Sequence, residues 1–441
     1  MKIAVVGTGY VGLVSAACFA DLGHTVIGVD IDPAKVEMLR QGKSPIFEPG
    51  LEELLRKGLA AGSLSFTTSV QEALPGTQLL FCAVATPPGE AHKADLTAVF
   101  SVAEEVASHA EQNVVFITKS TVPVGTGHAC EQRIAGLLQE RGKQLEIPVI
   151  SNPEFLREGS AVSDTLAPER IVVGINGTDW ARDLMEELYH PLTREGAQLV
   201  IMNRESAEMV KYASNAFLAT KISFINMLSE LAEVSGADIR DVARGMGLDS
   251  RIGHQFLAAG IGYGGSCFPK DVKALIATGK EHSIAMTIAE ATEAVNAHQR
   301  QRFTKQILDA LKTPSRIAVW GLSFKPKTDD MREAPSLDII PALIKAGHTV
   351  IAYDPAATDR AKPLLPEGVV YAHSPMEAAK NADALVLLTD WDVFKGVDLK
   401  TVASAMKGKW LFDGRNLYEP ADAMEAGFDY RGIGISVNTE A

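Results

Sequence analysis

The chain writes one pattern twice. Lys2-Ile-Ala-Val-Val-Gly7 returns as Arg316-Ile-Ala-Val-Trp-Gly321, and Leu22-Gly-His-Thr-Val-Ile-Gly-Val-Asp30 returns as Ala346-Gly-His-Thr-Val-Ile-Ala-Tyr-Asp354. Each copy reads as an apolar strand, a turn, a helix and a second strand ending in aspartate. Two such units imply two parallel sheets, each covered by helices on both faces. In the first copy the turn is Gly7-Thr-Gly9-Tyr10-Val11-Gly12, with a helical pattern from Leu13 to Leu22 behind it. A strand before and a helix after make G-x-G-x-x-G a dinucleotide-binding fingerprint. Its glycines let backbone meet a pyrophosphate, and the helix N-terminus supplies N–H donors. Asp30 stands where a carboxylate binds ribose hydroxyls and repels a 2′-phosphate, which favours NAD over NADP. A glycine turn used only for packing is the alternative.

The second copy loses the second and third glycines, runs ten residues longer, and carries Lys325, Lys327 and Arg332 in the added loop. A second Rossmann-type unit that holds a different phosphate-bearing ligand fits that exchange. Two later strand-like runs are Ala384–Leu388 and Trp410–Phe412, the latter leading into Asp413-Gly414-Arg415. In the first half, runs at Leu79–Val84, Val114–Thr118 and Pro148–Ile150 lead into Thr86-Pro-Pro, Ser120-Thr121-Val-Pro and Asn152-Pro-Glu154-Phe155-Leu156-Arg-Glu158. Such strand ends line the ligand crevice of a parallel sheet, although each alone is also ordinary loop chemistry. From about Arg204 the alternation stops. One long helix is expected to Val234, with Val210, Phe217, Phe224, Leu228 and Leu231 on one stripe. Lys211 and Asn215 share a face of it, where a solvated pair is the bland reading. Another helix is expected from about Ile284 to Leu311. The fold expected is α/β: Rossmann-type doubly wound domains at 1–200 and 301–441, joined by an all-helical domain at 201–300 suited to dimerisation. Residues beyond about Ile435 read as a loose tail.

The stretch that carries chemistry is Gly262-Tyr-Gly264-Gly-Ser-Cys267-Phe-Pro269-Lys270-Asp271. The small residues are expected to leave backbone open to a ligand. Pro269 marks a helix start, so Cys267 sits where positive potential favours a thiolate. Cysteine as a small buried hydrophobe is the alternative. NAD beside a nucleophilic thiol is apparatus for oxidising an aldehyde through a thioester. The other cysteines, Cys18, Cys82 and Cys130, lie far apart, and metal-site spacing is absent. Reduced thiols point to the cytoplasm. A net charge of −13 without a Lys/Arg run argues against nucleic acid. No apolar stretch is long enough for a membrane. The apolar N-terminus, interrupted by three glycines, reads as folded structure rather than a signal peptide.

Taken in order, the motifs Gly7-x-Gly9-x-x-Gly12, Lys119-Ser-Thr121-Val-Pro, Asn152-Pro-Glu154-Phe-Leu, Lys211-x-x-x-Asn215-Ala-Phe, Gly264-Gly-Ser-Cys267-Phe-Pro-Lys-Asp271, Phe324-Lys325 with Arg332, and Asp413-Gly-Arg415 resemble the UDP-glucose 6-dehydrogenase family of nucleotide-sugar dehydrogenases. The resemblance covers nearly the whole chain and implies NAD-dependent, four-electron oxidation of UDP-glucose to UDP-glucuronate. It implies Cys267 as nucleophile, Lys211 and Asn215 as oxyanion stabilisers, and Asp271, Glu154 and Thr121 in proton transfer and hydrolysis. NAD contacts would be Gly7, Gly9, Tyr10, Val11, Gly12, Asp30, Lys35, Thr86, Thr121, Glu158, Cys267 and Arg332. The UDP-sugar would be met by Glu154, Phe155, Leu156, Lys211, Asn215, Phe256, Gly264, Cys267, Phe324, Lys325 and Arg415. Arg251 resembles an arginine that reaches the neighbouring subunit's site in a homodimer. The loop Ala85-Thr86-Pro-Pro-Gly-Glu departs from the family pattern of Gly before the Thr.

The rival substrates are GDP-mannose and UDP-N-acetylmannosamine, against which Phe268 and Ala216-Phe217-Leu218 resemble the UDP-glucose branch. A two-electron β-hydroxyacid dehydrogenase would leave Cys267 and the last third unexplained. A short-chain epimerase or dehydratase needs Tyr-x-x-x-Lys, and none of the eight tyrosines has lysine four residues on. A non-catalytic sugar-nucleotide sensor has no use for that cysteine.

Overall fold

The computed structural model describes residues 1–435. It divides into two compact units, Met1–Ser214 and the chain from Asn215 onward. In the first, β1 (Lys2–Val6), β2 (Thr25–Val29), β3 (Leu64–Thr67), β4 (Leu79–Cys82), β5 (Val115–Thr118), β6 (Val149–Ser151), β7 (Arg170–Gly174) and β8 (Gln198–Met202) form one sheet. Their order is β3-β2-β1-β4-β5-β6-β7-β8. Pairing is parallel except where Ser151 of β6 meets Gly174 of β7 antiparallel. Every residue of β4 and β5 is buried, as strands covered on both faces must be. Helix α1 (Tyr10–Asp21) is buried continuously from Gly12 to Ala20. Its Ser15, Ala16, Ala17 and Ala20 are small enough for a helix enclosed all round. Helices α2 (Pro33–Arg40) and α3 (Leu51–Ala60) follow β2.

In the second unit β9 (Arg316–Trp320), β10 (Thr349–Tyr353), β11 (Val370–Tyr371), β12 (Ala384–Leu387), β13 (Trp410–Asp413) and β14 (Asp429–Gly432) pair in the order β11-β10-β9-β12-β13-β14. All of these pairings are parallel. The sequence echo extends to single bonds. Gly7 (φ +93°) donates to Val29 O at 2.8 Å, and Thr8 N donates to Asp30 Oδ2 at 2.9 Å. Gly321 (φ +90°) donates to Tyr353 O at 2.8 Å, and Leu322 N donates to Asp354 Oδ2 at 2.7 Å.

Helix α4 (Arg204–Ser235) runs unbroken across the expected span, and α5 (Phe268–Glu281) begins directly after Cys267. Helix α6 (Thr287–Ala310) lies within the expected 284–311. On α4 the stripe divides: Phe217, Phe224 and Leu231 are 67%, 44% and 60% exposed, while Leu228 packs against the core. The sequence reading passed over β3, β7, β8, β11 and β14. Three of these, β8, β11 and β14, carry the alternating or half-exposed pattern of sheet margins rather than a solid apolar run. The expected loose tail lies outside the described residues. No helix among the described residues is long and apolar enough to cross a membrane.

The three fingerprint glycines do different jobs. A Cβ on Gly7 would lie 2.7 Å from Ala83 O, and one on Gly12 would lie 1.9 Å from Gly7 O. A Cβ on Gly9 would meet nothing within 4 Å. Gly7 and Gly12 therefore serve packing between turn, strand and helix, while Gly9 faces open space where a ligand backbone can approach. Gly12→Ala is expected to cost about 2–4 kcal/mol and lower the melting temperature by several degrees. Gly9→Ala should leave the melting temperature within about 2 °C, as read by calorimetry.

Candidate active site

Within the first unit the glycine turn meets a carboxylate that is already engaged. Asp30 Oδ2 accepts from Thr8 Oγ1 at 2.7 Å and from Lys35 Nζ at 2.8 Å. Burial alone would raise its pKa, but the bonds from Lys35 and Thr8 outweigh that and hold it below the usual carboxylate range. An ionised acid at the end of β2, beside open space above Gly9, fits a dinucleotide with a free 2′-hydroxyl. Thr86 Oγ1 donates to Thr121 O at 2.9 Å, so the loops after β4 and β5 are tied together. Tyr10 and the 158–161 segment also meet, through Glu48: Tyr10 Oη donates to its carboxylate, and Gly159 N donates to Glu48 Oε2 at 2.7 Å.

Beyond β6 the chain carries Glu154 into the interior. Lys211 Nζ, from the second turn of α4, donates to Glu154 Oε1 at 2.8 Å, and Leu156 N donates to Oε2 at 2.7 Å. Both side chains of the pair are at most 5% exposed. Burial pushes the Glu154 carboxyl up, yet the Lys211 ammonium, with Lys119 behind it, wins and keeps it below its ordinary value. Lys211 is therefore not a solvated surface residue. Its ammonium also lies 5.6 Å from the centre of the Phe155 ring, with the Arg170 guanidinium 4.0 Å from the same ring.

Lys119 is the group that sequence reasoning left unassigned. It is buried at the end of β5, and its Nζ donates to Asn152 Oδ1 at 3.2 Å. Tyr189 Oη donates to the same oxygen at 2.5 Å, and Asn152 Nδ2 donates to Val172 O at 2.7 Å. Burial, opposed by the Glu154 charge and reinforced by the Lys211 charge, brings the Lys119 pKa from 10.5 down to about 8. The signal was present: a lysine directly after a wholly apolar strand has little water within reach. Arg170 and Glu48 carried no such mark.

In the second unit Cys267 occupies the N-cap of α5, with Pro269 in the first turn as expected. Its carbonyl accepts from Asp271 N at 2.9 Å, and its sulfur lies 3.6 Å from Ser266 Oγ. Asp271 is fully buried and accepts from Asn215 Nδ2 at 2.6 Å and from Lys270 Nζ at 2.7 Å. Lys211 and Asn215 thus hang one turn apart on α4, each holding a buried acid in its own unit. The remaining thiols differ from Cys267. Cys18, Cys82 and Cys130 are buried, and burial pushes each up to about 12. Cys267 keeps partial exposure.

The glycines before the cysteine face protein atoms on their Cβ side. A Cβ on Gly264 would fall 2.3 Å from Glu333 O, one on Gly265 would fall 2.6 Å from the Phe324 ring, and one on Gly262 would fall 2.5 Å from Asn296 Oδ1. Their smallness lets this segment lie against the loop after β9. Arg415 ties the same region together. Its Nε donates to Leu388 O at 2.8 Å, Nη2 to Phe324 O at 2.9 Å, and Nη1 to Gly262 O at 3.3 Å.

The cations of the added loop are likewise engaged. Arg332 pairs with Asp330 at 2.8 Å, Lys327 with Asp392 at 3.5 Å, and Lys325 lies 5.5 Å from the centre of the Phe324 ring. Phe256 packs near Phe268, with ring centres 6.0 Å apart. Arg251 is set apart on the surface, 87% exposed in its side chain and paired with Asp249 at 2.5 Å.

The Lys119 shift has a measurable sign. Between pH 8 and 10.5 the folded chain has released this proton and the unfolded chain still binds it, so the contribution of Lys119 to stability rises with pH across that window. Urea denaturation of the native protein and of Lys119→Met should differ by an amount that changes through pH 8–10.5 and is flat below pH 7.

The sequence matches three consecutive domains of the UDP-glucose/GDP-mannose dehydrogenase family: the NAD binding domain over residues 1–193, the central domain over 205–298 and the UDP binding domain over 318–420. A UDP-glucose 6-dehydrogenase of Rhizobium meliloti (strain 1021) is 46% identical over 440 residues, covering 98% of this chain and 99% of the relative. The structure of a UDP-glucose dehydrogenase from Pyrobaculum islandicum superposes with a TM-score of 0.90 at 38% identity, covering 98% of both chains. A UDP-D-ManNAc dehydrogenase from Pyrococcus horikoshii superposes at 0.85 with 27% identity, covering 98% of this chain and 99% of the other. With all three domains matched in order and nearly half the residues shared with a full-length relative, the chain belongs to the UDP-glucose/GDP-mannose dehydrogenase family.

Proposed function

We propose that this protein oxidises the C6 hydroxymethyl of UDP-glucose to the carboxylate of UDP-glucuronate, consuming two NAD⁺ and one water and releasing two NADH and three protons. The observation that carries the reading is the thiol of Cys267 at the start of α5, partly exposed where the other three are buried and held as thiols. The 46% identity to a UDP-glucose 6-dehydrogenase supports this substrate over GDP-mannose or UDP-N-acetylmannosamine.

NAD, when bound at Gly9 and Asp30, supplies a hydride acceptor. The rest falls to the chain. Lys211 and Asn215 donate to oxygen as it gains negative charge. The Cys267 thiolate adds to the carbon of the aldehyde, forming a C–S bond while the carbonyl oxygen takes the electron pair. Once that adduct is oxidised to a thioester, water attacks its carbon and the thiolate leaves. Asp271 or Glu154, each paired with a lysine, takes the proton from water, with Thr121 positioning it. The remaining proposed contacts are Lys35, Thr86, Glu158 and Arg332 to NAD, and Phe155, Leu156, Phe256, Gly264, Phe324, Lys325 and Arg415 to the UDP-sugar. The exposed Phe217, Phe224 and Leu231 support a homodimer through α4, with Arg251 extending to the partner's site. Cytoplasmic residence is part of the same reading.

With excess NAD, two NADH are expected per UDP-glucose consumed; a ratio of one would overturn the four-electron scheme. GDP-mannose turned over faster than UDP-glucose would move the substrate assignment. Cys267→Ser should lose about 100-fold or more in production of the acid. Iodoacetamide at pH 7.5 should add once to the native protein, at Cys267 by peptide mass mapping.

A further inference from the structure

Glu48 has no part in the roles above, yet two distant segments converge on it. It comes from the loop between α2 and α3 and is 7% exposed. Its Oε2 accepts from Tyr10 Oη, in the fingerprint turn, and from Gly159 N at 2.7 Å. Its Oε1 accepts from Ala161 N at 2.7 Å. Gly159 N also reaches Tyr10 Oη at 2.9 Å, which closes a triangle of Tyr10, Glu48 and Gly159. Both carboxylate oxygens face donors, so the site is matched to an acid and mismatched to an amide, whose NH₂ would confront an N–H. A buried carboxylate with three donors cannot shift without stranding them.

The placement of those segments gives the contact a purpose. Tyr10 opens α1, one residue past Gly9, which is the glycine with open space above it. Gly159 and Ala161 follow Glu158 on the segment that also carries Glu154, Phe155 and Leu156. We propose that Glu48 is a positioning residue for the dinucleotide: it locks the fingerprint turn to the 158–161 segment at a fixed spacing, so that both walls of the cofactor pocket are held before the ligand arrives. This rests on the NAD reading above. Preorganisation of this kind lowers the cost of binding and is read in affinity for the cofactor.

The test is NADH affinity in the full-length protein, measured by NADH fluorescence, with UDP affinity measured in parallel by calorimetry. Glu48→Gln is expected to weaken NADH by about 10-fold, with the change carried by KM for NAD rather than by kcat, and UDP affinity within about 2-fold of the native protein. Tyr10→Phe, which removes only the hydroxyl, should weaken NADH by about 3-fold and add little in the Glu48→Gln background, because both act through one link. Should Glu48→Gln fail to fold, Tyr10→Phe alone decides. NADH affinity unchanged within 2-fold in the variants, or NADH and UDP affinities falling together, would overturn the assignment while leaving the NAD reading intact. A native protein that binds no NADH would overturn both.

Discussion

The guanidinium of Arg415 is the point on which the cysteine region of the second unit depends. It joins the end of β12, the loop after β9 and the glycine-rich segment before Cys267 through three backbone carbonyls. Such a contact requires the segments to approach closely, and glycines at 262, 264 and 265 allow it, since any Cβ there would collide with a neighbour. Ile261 N adds a bond to Gly414 O at 3.0 Å. Cys267 is thereby presented from a segment stapled to the second sheet, and the start of α5 aims its first-turn N–H groups toward the sulfur's end of the helix.

The electrostatics of the first unit follow a different logic. A buried ion pair such as Lys211–Glu154 is a weak source of stability, because desolvation of both charges offsets their attraction. Its value is that both groups remain charged out of water. Lys119 adds a second amine near the same carboxylate, and burial, more than the neighbouring Lys211 charge, depresses its pKa. Perturbed, buried titratable groups gathered at strand ends mark functional sites more often than structural ones. The Asn215–Asp271–Lys270 cluster repeats the arrangement in the second unit, with an acid satisfied by an amide and an ammonium.

The repeated unit shows how one pattern is put to two uses. Asp30 and Asp354 both lock the turn after the first strand of their sheet. Asp30 keeps a lysine beside it and open space at Gly9. Asp354 is enclosed: Leu322 N, Ser323 N, Ser323 Oγ and Trp391 Nε1 donate to Oδ2, and Ala356 N and Ala357 N to Oδ1. The acid that keeps a lysine beside it in one copy is enclosed by backbone and side-chain donors of its own chain in the other.

Much of this was legible residue by residue. The doubled βαβ pattern, the helix from Arg204 and the helix start after Cys267 follow from local periodicity and punctuation, which depend on near neighbours alone. So do the chemical types at strand ends, Glu154, Thr121 and Arg415 among them. What those groups touch did not. Whether Lys211 met water or Glu154, whether the glycines before Cys267 faced a ligand or Phe324, and whether Arg415 stood open or bound three carbonyls were decided by contacts between segments far apart in the chain. The same holds for Glu48 and for the partners of Lys119, although the apolar strand before Lys119 signalled its burial. Pairing between distant segments is a property of the packed chain, and no local pattern encodes it.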